Sequence, residues 1–209
     1  MHRQTAVLFL VCSGAAGAAA TEPEPAVDAA WAEHRVDFHF FGNDINKTTS
    51  YSCDSIRDKL RVLLRLAGAR SDVDITTAGC GLGSQIVSSM ITADLGFHSP
   101  TLARPANAAA ASEPVPAHWN TKKLQLGSTN GFDSGDCQLV EQFRLQVLKV
   151  FDVRNVTANL DCMVRQPPPR GRSSLAFEAL TATATAEAES IARDKQPPKH
   201  DDQLKSDQN

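Results

Sequence analysis

Four cysteines fall into two copies of one module, in which a cysteine opens an amphipathic helix, a strand follows, and a second cysteine closes that strand. Cys53 and Cys80 bracket the first copy, Cys137 and Cys162 the second. In a strand, helix, strand unit with parallel strands the helix runs antiparallel to both, so its start and the end of the second strand share one end of the sheet. Each pair can then reach the roughly 5.5 Å Cα separation that a disulfide wants, without rearranging the backbone. The expected connectivity is Cys53 with Cys80 and Cys137 with Cys162. Each bridge closes a loop of about 25 residues, for which the chain-entropy model gives on the order of 3 kcal/mol.

The amino terminus sets the redox context for those cysteines. Arg3 precedes an apolar run, Ala6 to Val11, and small residues ending Ala18, Ala19 and Ala20, so residues 1–20 read as a signal peptide cut near Thr21. The apolar run is about half the roughly 20 residues needed to span a bilayer, and no later segment is apolar enough. Cys12 raises a lipid anchor, but Val11 stands where lipoprotein signals carry Gly, Ala or Ser. Removing Arg3 from the 21 basic side chains leaves 20 against 24 acidic ones, and removing Cys12 leaves four cysteines, an even count that favours two disulfides in an exported chain. That charge balance offers no basic stripe for nucleic acid and no attraction to an acidic membrane surface.

Along the mature chain, residues 21–34 are rich in Pro, Glu and Ala and read as a flexible lead-in. The first repeat spans 35–98. Val36, Phe38 and Phe40 alternate as in a half-buried strand, and Gly42, Asn43 and Asp44 form a turn. Ser52 caps a helix from Cys53 whose stripe is Ile56, Leu60, Leu63, Leu64 and Ala67, with Asp54 in its first turn and Gly68 as its stop. Val73, Ile75 and Thr77 make a strand to Cys80, and Val87 to Leu95 a third. Residues 99–118 are Ala- and Pro-rich and read as a linker.

The second repeat spans 119–181. Leu124 and Leu126 mark a strand and Gly127 to Gly135 a turn. Asp136 caps a helix from Cys137 with the stripe Val140, Phe143, Val147 and Phe151; Val156, Ala158 and Leu160 lead to Cys162, and Leu175 to Leu180 form a last strand. Ser88, Ser89, Met90, Asp94 and Leu95 echo Ser173, Ser174, Leu175, Glu178 and Leu180. The tail 182–209 reads as disordered, with a frayed helix around Ala186 to Ala192. The expected class is α+β: two βαββ repeats forming a mostly antiparallel, ferredoxin-like sheet with two helices packed on one face. A two-fold axis perpendicular to that sheet would put the two cysteine pairs at opposite ends.

Reactive constellations are sparse. A cysteine in the first helical turn can be a low-pKa nucleophile, but neither helix carries Cys-x-x-Cys, and the spacings lack the close ligand pairs of structural zinc. His34 and His200 fall in the flexible ends, His39 on the less buried face of its strand, and His98 and His118 at an edge or loop. Gly79, Gly81 and Gly83 precede no helix that could hold a phosphate, so they read as a turn. Asp54, Asp133, Asp136 and Asp161 cluster near the cysteines and could bind calcium or act as an acid pair, although helix capping accounts for Asp54 and Asp136 more simply. Asn46 and Asn155 each open a glycosylation acceptor triplet, relevant in a eukaryotic source.

Tyr51, Ser52, Cys53, Asp54 and Ser55, with Gly79-Cys80, then Asp136-Cys137, Leu139, Val140, Glu141 and Gln142, and Arg154, Asn155 and Val156, resemble a pattern in uncharacterised exported bacterial proteins, over roughly Val36 to Leu180. The resemblance implies export and a shared fold and supplies no activity. The functional expectation is a periplasmic or secreted, non-enzymatic domain. It would bind an envelope protein or small ligand on the face or edge of its sheet, without cofactor, metal, nucleic acid or stable membrane insertion. The alternative is a thiol-disulfide or metal-assisted enzyme using the helix-start cysteines. No catalytic residue is assigned.

Overall fold

The computed structural model describes residues 25–44, 47–80, 87–102, 114–127, 131–160, 162 and 173–194. In chain order they form β1 (Val27–Phe41), the short pair β2 (Asn43–Asp44) and β3 (Lys47–Thr48), α1 (Cys53–Leu66), β4 (Asp74–Ala78), β5 (Met90–Leu102), β6 (Pro114–Gln125), α2 (Cys137–Gln146), β7 (Val153–Asn159), β8 (Ser174–Ala182) and α3 (Ala184–Asp194). Six strands make one sheet in the order β4-β5-β1-β6-β8-β7, with every neighbouring pair antiparallel. Two antiparallel steps make β1 parallel to β4 with β5 between them, and β6 parallel to β7 with β8 between them. The class is α+β.

β1 organises the sheet. It pairs with β5 from Ala29 opposite Leu102 to Phe41 opposite Met90, but with β6 only from Val27 opposite Ala117 to Ala30 opposite Pro114. Its side chains alternate as a strand requires: Phe38 and Phe40 are buried, while Asp37, His39 and Phe41 are exposed. The even face meets α1 through Ile56, Leu60, Leu63 and Leu64 and α2 through Leu139, Val140 and Phe143, in a core shared with Phe97, Leu124, Leu175 and Phe177. Ser52 does cap α1, its hydroxyl accepting from the Ser55 amide at 3.1 Å.

Three stretches depart from expectation. β1 starts at Val27, inside the segment 21–34 read as a flexible lead-in, because Ala29 and Trp31 are buried on its second face with Val115, Ala117 and Leu180. The linker 99–118 contributes strand at both ends, β5 running on to Leu102 and β6 starting at Pro114; residues 103–113 lie outside the described residues. Small Ala29 and Ala117 are buried where the two strands adjoin, so a composition that looks like linker serves close packing. The tail 182–209 carries β8 to Ala182 and then α3, which includes the stretch Ala186 to Ala192 read as a frayed helix and is docked, its Ala186 packing on the second apolar cluster. A third helix therefore covers part of the face opposite α1 and α2. Its sequence has little apolar periodicity because its attachment is polar, through Glu187, Ser190 and Asp194.

Gly68 ends the turn after α1 at φ +103°, and a Cβ there would lie 2.5 Å from the Leu180 carbonyl oxygen. Gly68→Ala therefore meets both a left-handed backbone and a clash. It should cost about 2 kcal/mol or more in urea unfolding, while Val62→Ala, at an exposed helix position, should stay within about 0.5 kcal/mol.

Candidate functional site

The cysteines pair as parallel β1 and β4, and parallel β6 and β7, require. Cys53 opens α1 and Cys80 lies two residues beyond β4, bridged with Cα atoms 5.8 Å apart; Cys137 opens α2 and is bridged to Cys162 at 5.4 Å. All four thiols are thereby consumed in this structure. Among the described residues no group of three or more His, Cys, Asp or Glu side chains is arranged to hold a metal ion.

α2 does not simply cover the sheet. Where β6 leaves β1, the β1 edge would present unpaired amides, and α2 supplies them with side chains. Gln146 Oε1 accepts from the His39 amide at 2.9 Å while its Nε2 donates to the His39 carbonyl at 2.8 Å; Gln142 does the same at Phe41, at 2.9 and 2.8 Å. Four helical residues rise about 6 Å and two strand residues about 6.7 Å, so glutamines four apart match strand positions two apart. The side chains stand in for a neighbouring strand and close an edge that could otherwise recruit another chain.

This placement brings the two helix starts together. The buried Asp136 carboxylate accepts from the Tyr51 hydroxyl at 2.6 Å, from Lys59 Nζ at 2.8 Å and from the Asp133 amide at 2.8 Å; Lys59 also donates to the Gly131 carbonyl at 2.8 Å and lies 4.9 Å from the centre of the Phe132 ring. Tyr51 is two residues from Cys53 and Asp136 adjoins Cys137, so the cysteine pairs do not sit at opposite ends as a simple two-fold would have them. The reason is that α2 follows the open edge of β1. Asp136 makes no capping bond to α2; Asp133 caps the short 3-10 turn Ser134–Asp136 instead. Burial, then the hydrogen bond and charge of Asp136 and the charge of Asp133, push the Tyr51 hydroxyl well above its ordinary value and keep it a donor.

A second polar cluster lies on the opposite face. Arg70, only 2% exposed, forms a fork on Asp72 (Nε to Oδ1 2.9 Å, Nη2 to Oδ2 2.5 Å) and donates to Ser190 and Asp194 of α3, each at 2.5 Å. His98 Nδ1 lies 3.1 Å from Nη2, and the guanidinium stands 5.5 Å from the centre of the Trp31 ring. Burial opposes the charge, yet the hydrogen bonds and charges of Asp72 and Asp194 hold Arg70 above its ordinary value. Asp72 lies below its own, the Arg70 hydrogen bond and charge outweighing burial. His34 belongs to β1 and not to a flexible end: its Nε2 is 3.0 Å from the buried Ser99 hydroxyl, and its ring stacks on Phe97 at 5.2 Å. Burial, with the charge of His98, holds its pKa below 6.5 against the opposing pull of Asp152.

The outer face of β4-β5-β1 is bare over its far half. Phe41 and Met90 are cross-strand partners, 53% and 57% exposed, and His39 stacks on Phe41 at 6.4 Å. Around them stand exposed Asp37, Thr92, Asp94 and Thr76, with Arg35 3.6 Å from Asp94. At the other end of the sheet, β7 is an exposed edge broken by an irregularity between Arg154 and Thr157, where Asn155 sits at φ +54° and donates to Glu178 at 3.0 Å. Arg154 pairs with Glu178 and lies 4.4 Å from the centre of the Trp119 ring.

The remaining candidates scatter. Asp54 pairs with Arg57 on its own helix, and Gly79 takes φ +89° beside Cys80. His39 and His118 lie on strands β1 and β6. Asn46, Gly81, Gly83, Asp161 and His200 lie outside the described residues. Gln146, Arg70 and Lys59 carried no expectation from the sequence, Tyr51 and Gln142 none as to role, and Asp136, expected as a cap or one of an acid pair, instead accepts from Tyr51 and Lys59. Two glutamines four apart on a helix read as a solvated face, and Arg70 follows Gly68 in a polar turn, so neither carried a signal by itself. No family model, curated protein or solved structure matches the chain.

Tyr51→Phe leaves a buried carboxylate oxygen without its hydroxyl donor and should cost about 2 kcal/mol in urea unfolding. For His34 the folded pKa is depressed, so its contribution to stability is full above 6.5 and is lost as pH falls through the folded value. Stability should therefore drop between about pH 7 and pH 5, and His34→Gln should shrink that drop, read from unfolding midpoints at the two pH values.

Proposed function

We propose that this chain is an exported, disulfide-stabilised binding domain of the cell envelope, periplasmic or secreted. It takes a partner protein or small ligand on the outer face of β4-β5-β1. The observation that carries this reading is the Phe41–Met90 pair, two large apolar side chains directly opposite each other and both more than half exposed, on a sheet face bordered by polar residues. Two paired cysteine bridges suit an oxidising compartment, and no helix among the described residues is long and apolar enough to cross a membrane. With all four cysteines bridged, no specific observation favours a thiol-disulfide or thiolate-metal enzyme.

The same reading takes the chain as a duplication. β1, α1, β4 and β5 lie in the sheet order β4-β5-β1, and β6, α2, β7 and β8 in the mirrored order β6-β8-β7. Each half is then a βαββ unit with its last strand between the other two, a ferredoxin-like split β-α-β, and the units join through the first residues of β1 and β6. Membership among the exported bacterial proteins that the chain resembles, with residues 1–20 as the signal, belongs to this proposal.

Envelope extract passed over the immobilised protein should yield a reproducible partner that Phe41→Ser with Met90→Asp loses, with the free energy of unfolding held within about 0.5 kcal/mol of the parent because both side chains are exposed. An unchanged capture profile in the double variant would place binding elsewhere. Alkylation of the non-reduced protein should find no free thiol; a labelled Cys53 or Cys137 would restore the enzyme reading.

A further inference from the structure

α3 is held to the body largely by polar contacts, with Ala186 and Ile191 as its partly buried apolar side chains. Residues 186, 187, 190 and 194, spaced by one, three and four, form one stripe of the helix. Ala186 is its part in the cluster of Ala29, Trp31, Val115, Ala117 and Leu180, and Ser190 alone among its described side chains is buried. Ile191 is half-buried beside it, and polar contacts add to that hold. Glu187 Oε1 accepts from Arg65 Nη1 at 2.7 Å and from the Ser71 amide at 2.8 Å, Ser190 accepts from Arg70 Nη1, and Asp194 accepts from Arg70 Nη2. One residue, Thr183, joins it to β8, and its hydroxyl and carbonyl accept from the Ala186 and Glu187 amides.

Segments that bury little apolar surface open at free energies far below global unfolding. Of its own apolar side chains, detaching α3 exposes the partly buried Ala186 and Ile191. It also leaves no orphaned charge behind, since Arg70 keeps both bonds to Asp72, and Arg65 keeps the Ala69 carbonyl at 2.6 Å. Both arginines therefore keep partners on the body when the helix is off.

We propose that α3 is a strap that opens as a unit ahead of global unfolding, uncovering Trp31 and the guanidinium of Arg70 on the outer face where β1 meets β6. Closed, it covers the outer face where β1 meets β6; open, it adds an apolar strip with a cation at its rim. The strap is a property of the chain with or without a partner on the Phe41–Met90 face.

Hydrogen-deuterium exchange followed by mass spectrometry, on the full mature chain with both disulfides intact, tests this. The α3 amides should exchange measurably faster than those of β1 and β5, yet slower than an unstructured peptide of the same sequence. Glu187→Gln and Ser190→Ala should each speed α3 exchange about tenfold, the ratio expected for one lost charge-assisted hydrogen bond, without changing β1 or β5. In a Trp119→Phe background, acrylamide quenching of Trp31 should rise in parallel. Equal protection of α3 and β5, exchange of α3 at the unstructured rate, or variants that accelerate α3 and β5 by the same factor would each overturn the strap. None of these outcomes bears on whether Phe41 and Met90 bind a partner.

Discussion

The hydrogen-bonding obligation of one long strand organises this molecule. β1 runs for 15 residues, and β5 satisfies one of its edges along nearly its full length, but β6 accompanies the other edge for four residues only. Backbone groups left without partners cost free energy comparable to a lost hydrogen bond wherever water is excluded, and an open edge invites unwanted pairing where it is not. α2 answers both problems at His39 and Phe41 through Gln146 and Gln142 while its other face buries Leu139, Val140 and Phe143. Its position then brings Asp136 to Tyr51 and Lys59, linking the two halves by a buried, fully partnered carboxylate.

That arrangement gives the sheet two unlike sides. The side of the sheet under α1 and α2 carries both disulfide-bearing helix starts, the stacked Phe97 and Phe151 rings at 4.8 Å, and a continuous apolar core. The opposite side has α3 over the junction of β1 with β6 and, among the described residues, exposed side chains on the far half of β4-β5-β1. Among the described residues, the open part of that face carries the Phe41–Met90 pair beside exposed Asp37, Thr92 and Asp94. The buried polar groups that do cluster, at Asp136 and at Arg70, have their hydrogen bonds directed at one another and at the backbone, as structural networks do.

Much of the fold was legible from local pattern. Period-2 alternation marked β1 at Phe38 and Phe40 and β4 at Ile75, the apolar stripe and the Ser52 cap marked α1, and the cysteine spacing implied the bridges that the structure contains. Composition misled where packing overrode it. The second half of the expected lead-in and both ends of the expected linker are strand because small residues fit where β1 adjoins β6, and α3 docks through Glu187, Ser190 and Asp194. The candidate site was less legible still. Gln142, Gln146 and Arg70 are ordinary surface residues by type, and their roles exist only once distant strands supply the amides and carboxylates they meet.

The sequence by itself determined the elements that depend on neighbours a few residues apart: strand alternation, the helix stripe with its cap, the left-handed stop at Gly68, and which cysteines lie within reach of each other. The tertiary structure alone decided that the first residues of β1 and β6 are joined, that α2 runs along β1 so that the two helix starts meet at Asp136, and that a third helix straps the far face. Those decisions rest on contacts across 85 residues, as between Tyr51 and Asp136, and across 120, as between Arg70 and Ser190. Hydrogen-bond satisfaction and burial at such separations are properties of the assembled sheet, and no local period encodes them.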